Sequence, residues 1–359
     1  MNRVSGLLVS TLLLAALTRA EAASFCVADG AELRQALSTA AGNGESDSIR
    51  LRSGSFSVTT SSVAFYYFTS ESFDLEISGG WVSVGPQPCL AQTGRADATV
   101  LSGSGVRQVL SLGGASGTSG NISVSNLTIR DGDSAQQGAG LNLGGIAGFV
   151  GDLSVSNVVF DGNVSATFGG GLTAGADGGV LKLINNLFLR NKCGSDYCAA
   201  NLTVNAASAS SYRAFFSYNT VVANICTPGA PPSCDTAGVR IGGSARSLFI
   251  GNAFAFNAGA DLKLQNLTSD VYNNNVVDIL GSPAASGGNL SLSNPLFVDP
   301  FSADYRLMFA SPLRNAGSAA IGLPAVDLDG APRLNDYQYD IGAFENQDHL
   351  FGSSFEPLL

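Results

Sequence analysis

Ser125-Asn126-Leu127-Thr128-Ile129, Ser156-Asn157-Val158-Val159-Phe160, Asn185-Asn186-Leu187-Phe188-Leu189, Tyr218-Asn219-Thr220-Val221-Val222 and Gly251-Asn252-Ala253-Phe254 follow one another through the middle of a 359-residue chain. Aligned on Asn126, Asn157, Asn186, Asn219 and Asn252, they recur in steps of 31, 29, 33 and 33 residues. A fixed period in this range is the mark of a repeat architecture, in which each unit buries its apolar face only against its neighbours.

Two further columns keep step with the first. One reads Gly138-Ala139-Gly140-Leu141-Asn142-Leu143, Gly169-Gly170-Gly171-Leu172-Thr173, Ala199-Ala200-Asn201-Leu202-Thr203-Val204, Ala237-Gly238-Val239-Arg240-Ile241 and Gly259-Ala260-Asp261-Leu262-Lys263-Leu264. The other is an F-x-x-N element: Phe160 to Asn163, Phe188 to Asn191 and Phe254 to Asn257, with Val221 to Asn224 in the same slot. Alternation such as Leu141-x-Leu143 and Leu262-x-Leu264 predicts short strands with one buried face, and helical spacing is missing from the units. One strand per unit, stacked on its counterparts about 4.8 Å away, makes a parallel β-helix. Parallel crossovers are right-handed in nearly all cases, so a right-handed, all-β solenoid is the expected fold class. The ladder asparagines are expected at bends, where Asn tolerates left-handed backbone angles and its amide can bond to the next coil. The recurring Phe is expected to stack inside.

The ends differ from the repeats. Arg3, an apolar run from Leu7 to Leu17 and the small-x-small site Ala20-Glu21-Ala22 read as an export signal over residues 1–22. Asp29-Gly30-Ala31-Glu32 is a capping box, and Leu33, Ala36, Leu37 and Ala40 follow at helical spacing. This predicts a short capping helix within a cap of residues 23–48, ahead of a solenoid over 49–293. Residues 294–345 show little repeat, and 346–359 form a polar tail.

Charge and cysteines bound the rest. The chain carries a net charge of −10, and its three lysines (Lys182, Lys192, Lys263) do not cluster, which argues against nucleic acid and anionic membranes. No apolar run is long enough to span a bilayer, so no transmembrane segment is expected. Six cysteines behind an export signal read as disulfides. Proximity pairs Cys193 with Cys198 and Cys226 with Cys234, leaving Cys26 with Cys89. Zinc is disfavoured because paired Cys-x-x-Cys spacing is missing and His349 is the only histidine; no metal site is expected.

Phe160-Asp161-Gly162-Asn163 leading into Gly169-Gly170-Gly171-Leu172 resembles the FxxN and GGA[ILV] repeats of polymorphic outer-membrane proteins and related bacterial surface β-helices. Asp304-Tyr305-Arg306-Leu307, Asp327-Leu328-Asp329-Gly330 and Asp340-Ile341-Gly342-Ala343-Phe344-Glu345 look like the choice-of-anchor Q domain that closes many secreted bacterial β-helices. Ser78-Gly79-Gly80-Trp81 with Cys89 is similar to an N-terminal coil of such proteins. The resemblance implies a pectate-lyase-like solenoid, secreted or at the surface of a Gram-negative bacterium. It implies no particular reaction.

Parallel β-helices host lyases and glycosidases as well as adhesins, so chemistry has to be read from residues. The carboxylate pairs and Gly-His-Gly of polygalacturonase-like hydrolases are missing here, and Arg240-Ile241 runs into Gly242. A lyase needs a base beside the sugar and cations against its uronate. The remaining catalytic candidates are Asp131, Asp133 and Asp161. Asp131 and Asp161 lie one coil apart and would stack at about 5 Å. Two such carboxylates could share a proton, bind Ca²⁺ or flank a glycosidic bond. Asp-Gly at 131–132 and 161–162 reads first as turns, however. The expectation is a monomeric, non-catalytic binder of carbohydrate or a surface partner, without cofactor. The alternative is a polysaccharide lyase or glycoside hydrolase.

Overall fold

The computed structural model describes residues 23–59, 63–144, 148–227, 234–266, 268–320, 322–334 and 338–347. The expected export signal, the prolines at 228, 231 and 232, His349 and the tail beyond 347 lie outside the described residues. Three parallel sheets run along the chain. The long sheet has a main path of ten strands among the described residues, from Ala23–Val27 through Ile122–Arg130 and Leu153–Asp161 to Ala285–Gly287. The second sheet runs from Phe65–Thr69 through Leu141–Leu143, Leu172–Asp177, Ala200–Asn205 and Val239–Gly242 to Leu262–Leu264 and Ile279–Leu280. A short third sheet stacks Asp133–Ser134, Val164–Ser165, Lys192–Cys193 and Ile225–Cys226. Successive coils pair with their neighbours in the two longer sheets, and four of them also in the third, an all-β arrangement consistent with a parallel β-helix.

Period-2 burial builds the core. In Leu153–Asp161 the side chains of Leu153, Val155, Val158 and Phe160 point inward while Ser154, Ser156 and Asp161 lie on the outer side. Phe160 stacks on Phe188 at 4.8 Å between ring centroids, and Phe188 on Phe216 at 5.9 Å.

The register corrects the asparagine ladder by one residue. Ser156 pairs with Ile184 and Val159 with Leu187, so Asn157 faces Asn185, and Asn186 takes the inward slot of Val158 and Leu127. Two columns result, for different physical reasons. Asn126, Asn157, Asn185, Tyr218, Gly251 and Asn273 all have φ between 50° and 70° and bend the long sheet. Asn186, Asn219, Asn252, Asn274 and Asn289 lie one residue further on, and each Oδ1 from Asn219 onward accepts both the main-chain N–H and the Nδ2 of the preceding rung at 2.8–3.1 Å. The F-x-x-N asparagines form an equivalent ladder, Asn163 to Asn191 to Asn224 to Asn257. The second column is also displaced: Leu172 pairs with Ala200, and Ala200 with Val239, so Leu202 is not the partner of Val239. A two-residue shift keeps the same face inward, so alternation alone cannot detect it.

At the N-terminal end, Gly30–Ala40 is an α-helix capped by Asp29, whose Oδ1 accepts from Ala31 and Glu32 N–H, while Glu32 accepts from Ala28 N–H. Its buried face is Leu33, Ala36, Leu37 and Ala40. Ala23–Val27, inside the segment expected only to cap, is itself a rung pairing in parallel with Asp47–Arg52.

The described residues between 294 and 347 pack along the flank of the stack. From Leu187 onward this outer side is largely apolar: Leu187, Leu189, Val222, Ala253 and Ala255 are buried and pack with Phe297, Tyr305, Leu307, Leu313, Ile341 and Phe344. The bend column is the seam. Gly342 N–H donates to Gly251 O at 2.8 Å, Ala343 N–H to Thr220 Oγ1 at 2.9 Å, and Arg333 to Asn185 Oδ1. Arg333 is fully buried, donates to Gly342 O and Ala343 O, and lies 3.6 Å from Glu345. Burial and the Asp340 carboxylate push Glu345 up to about 8, against the pull of Arg333.

Candidate functional site

The outer side of the second sheet carries a polar trough over Leu172–Asp177 and Ala200–Asn205, in line with a row of outward side chains along the stack. Its floor is set by pairing. Tyr66, Ser111, Asn142, Thr173, Asn201, Arg240 and Lys263 succeed one another in register, one per coil. A neighbouring row passes from Gly175 to Thr203 to Gly242. A Cβ on Gly175 would meet only Thr203 O, at 3.8 Å, so the floor stays low there. A pocket of about 190 Å³ on this face is lined by Gln137, Thr173, Gly175, Asp177, Asn201, Thr203 and Asn205, among others. That is below the roughly 300–1,000 Å³ of small-molecule pockets. At the N-terminal end Tyr66 and Phe68 expose aligned rings 6.4 Å apart.

One wall carries the aromatic and cationic groups. Phe168 stacks on Tyr197 at 5.6 Å, and Arg240 and Lys263 reach the Tyr197 ring from the floor, at 5.8 and 5.3 Å from its centroid. Burial lowers Arg240 from the ordinary guanidinium value. The same wall holds two disulfides, Cys193–Cys198 and Cys226–Cys234, stacked because Cys193 pairs in register with Cys226. The sulfurs of Cys193, Cys198 and Cys226 lie within 4.8 Å of one another, a soft-metal spacing that disulfide sulfurs, having no thiolate, do not use. Cys26–Cys89 joins the first rung to the antiparallel strand Gln87–Gln92.

The three aspartates singled out from the sequence do not converge. Asp161 pairs in register with Arg130, not Asp131, so the expected carboxylate stack is replaced by alternating charge. Asp161 accepts a forked pair of bonds from Arg190 at 2.7 and 2.9 Å, and Asp131 lies 3.3 Å from Arg130. Asp131 occupies a left-handed turn at φ 53°, as Asp-Gly turns do. Asp133 is exposed on the third sheet, opposite Val164. A pair of carboxylates each neutralised by its own arginine is poorly placed to share a proton or a cation. Sequence reasoning missed the trough because its floor residues are individually ordinary. The available signal was the non-apolar residue between the two apolar ones in each unit of the second column, above all Arg240.

Compared with known proteins, the chain matches no family model and no curated protein, so its family resemblances rest on the residues quoted above alone.

Proposed function

We propose that the chain is an exported, right-handed, pectate-lyase-like β-helix that holds an extended carbohydrate along the trough without transforming it. The observation that supports this most directly is the row of aromatic, hydroxyl, amide and, at its end, cationic side chains from Tyr66 to Lys263. Polar groups held at a strand spacing of about 4.8 Å can each meet a successive hydroxyl of a polymer. The reading takes residues 1–22 as the export signal and 294–345 as an anchor-Q-like block. It places a monomer at the surface of a Gram-negative cell, and the three disulfides fit an oxidising compartment. The reading needs no cofactor.

Binding to a panel of uronic-acid and neutral polysaccharides, with product release followed in parallel, tests it. Retention without chain shortening is expected. Turnover abolished by Asp131→Asn or Asp161→Asn would sink the non-catalytic reading.

One observation favours a lyase as the second reading. Tyr197, Arg240 and Lys263 bring a phenol and two cations together, the classes that uronate elimination uses. Release of unsaturated uronate that Tyr197→Phe abolishes would establish it.

A further inference from the structure

Arg240 is held as an anchor with only Nη2 left open. Its Nε donates to Gln265 Oε1 at 2.8 Å. Its Nη1 donates to Thr203 Oγ1 at 2.8 Å, and to Asn201 Oδ1 and Leu202 O at 3.1 Å. All four acceptors are neutral. Nη2 has no acceptor among the described residues and lies over Gly242, where a Cβ would come within 2.3 Å of it. The absent side chain lets the guanidinium lie flat along the trough floor.

What sets Arg240 apart is this set of four neutral bonds in the floor. Arg95, Arg130, Arg190, Arg246, Arg306 and Arg333 each have a carboxylate within 4 Å. Arg240 has none among the described residues, nor do Arg50, Arg52 and Arg213, although acidic side chains outnumber basic ones, 28 to 18. A half-buried guanidinium fixed by four neutral bonds, with Nη2 free, suits an anion supplied from outside. Lys263, next in register, adds a second charge that Asp235 shares only at 4.0 Å. Phe168, partly exposed beside Tyr197, offers a ring on which an apolar sugar face can stack.

We propose that Arg240, with Lys263 beside it, is a carboxylate subsite, and that the trough takes an acidic, uronate-bearing glycan. This rests on the trough being a glycan site. A carboxylate fits better than dense sulfation, because one free guanidinium nitrogen meets a single charge and the acidic remainder of the chain repels a polysulfate.

The test is retardation of the full chain in gels containing polygalacturonate, its methyl ester, dextran sulfate or a neutral β-glucan. Polygalacturonate should be held roughly tenfold more tightly than its methyl ester. Arg240→Gln should weaken polygalacturonate by a similar factor, Arg240→Lys by less, and Lys182→Gln, the same charge change on another sheet, not at all. Unchanged thermal melts would show that the variants fold, and should Arg240→Gln fail to fold, Arg240→Lys and the methyl ester decide the matter. Equal retention of acid and ester, or an equal effect of Lys182→Gln, would overturn the subsite while leaving the trough as a glycan site. Preference for dextran sulfate would overturn the carboxylate assignment. Retention of none of the four would overturn the trough reading itself, and the subsite with it.

Discussion

At the scale of the residue, Asn does two jobs one position apart. Asn157 and Asn185 adopt the left-handed backbone that turns the long sheet, and Tyr218 and Gly251 serve equally well in that column. The amides of the bend asparagines also bond to one another, Asn157 Nδ2 to Asn126 Oδ1 at 3.1 Å and Asn185 Nδ2 to Asn157 Oδ1 at 2.6 Å. Asn186, Asn219 and Asn252 instead lie inside the stack, where the amide oxygens of Asn219 and Asn252 take a main-chain N–H as well. The doublet Asn185-Asn186 satisfies both columns, which is why sequence alignment crossed from one to the other there. Asn219 makes the consequence measurable. It accepts from Asn186 N–H and Nδ2 and donates to Leu183 O and Asn252 Oδ1. Asn219→Leu, which copies the apolar residue of earlier coils, would leave these buried groups unpaired and should cost roughly 3 kcal/mol or more in a urea titration. Asn289→Leu, at the half-buried last rung, should cost markedly less. Equal losses would mean that the ladder amides contribute nothing beyond packing.

At the scale of the element, the alternation of each strand was legible and its exceptions were not used. Leu187-Phe188-Leu189 and Thr220-Val221-Val222 are buried at every position, the pattern of a strand covered on both sides. That loss of alternation announced a second layer, which the C-terminal block supplies. Its docking should depend on pH through Glu345. Its folded value near 8 exceeds its ordinary 4.5, so between those limits the folded state holds a proton that the unfolded chain has released. Stability from this group is therefore complete below about pH 4.5 and is lost as pH rises through 8. Buried Asp340, raised mainly by burial, acts in the same direction. Melting temperature should fall from pH 5 to pH 9, and Glu345→Gln should flatten that decline. An unchanged slope in the variant would remove Glu345 as its cause.

At the scale of the whole molecule, contacts run between neighbouring coils, so stability accumulates along one axis. The ends are then the weak points, and Cys26–Cys89 closes 63 residues at the first of them. Chain-entropy arguments give such a loop about 4 kcal/mol, against about 2 for the five-residue separation of Cys193–Cys198. Replacing Cys26 and Cys89 together by Ser should therefore lower denaturant stability more than replacing Cys193 and Cys198, and should expose the first coils to protease first. The stack, the helix cap and the pairing of cysteines were readable because each follows a local rule. The trough was not, because it exists only once distant coils are in register. That register has a further consequence. A surface that repeats itself at every rung, facing a polymer that also repeats, offers many equivalent alignments and would let the ligand slip from one to the next. Arg240 is the single guanidinium in the floor row from Tyr66 to Lys263. If the trough holds a glycan as proposed, Arg240 would break that degeneracy and give a sliding chain one place to stop.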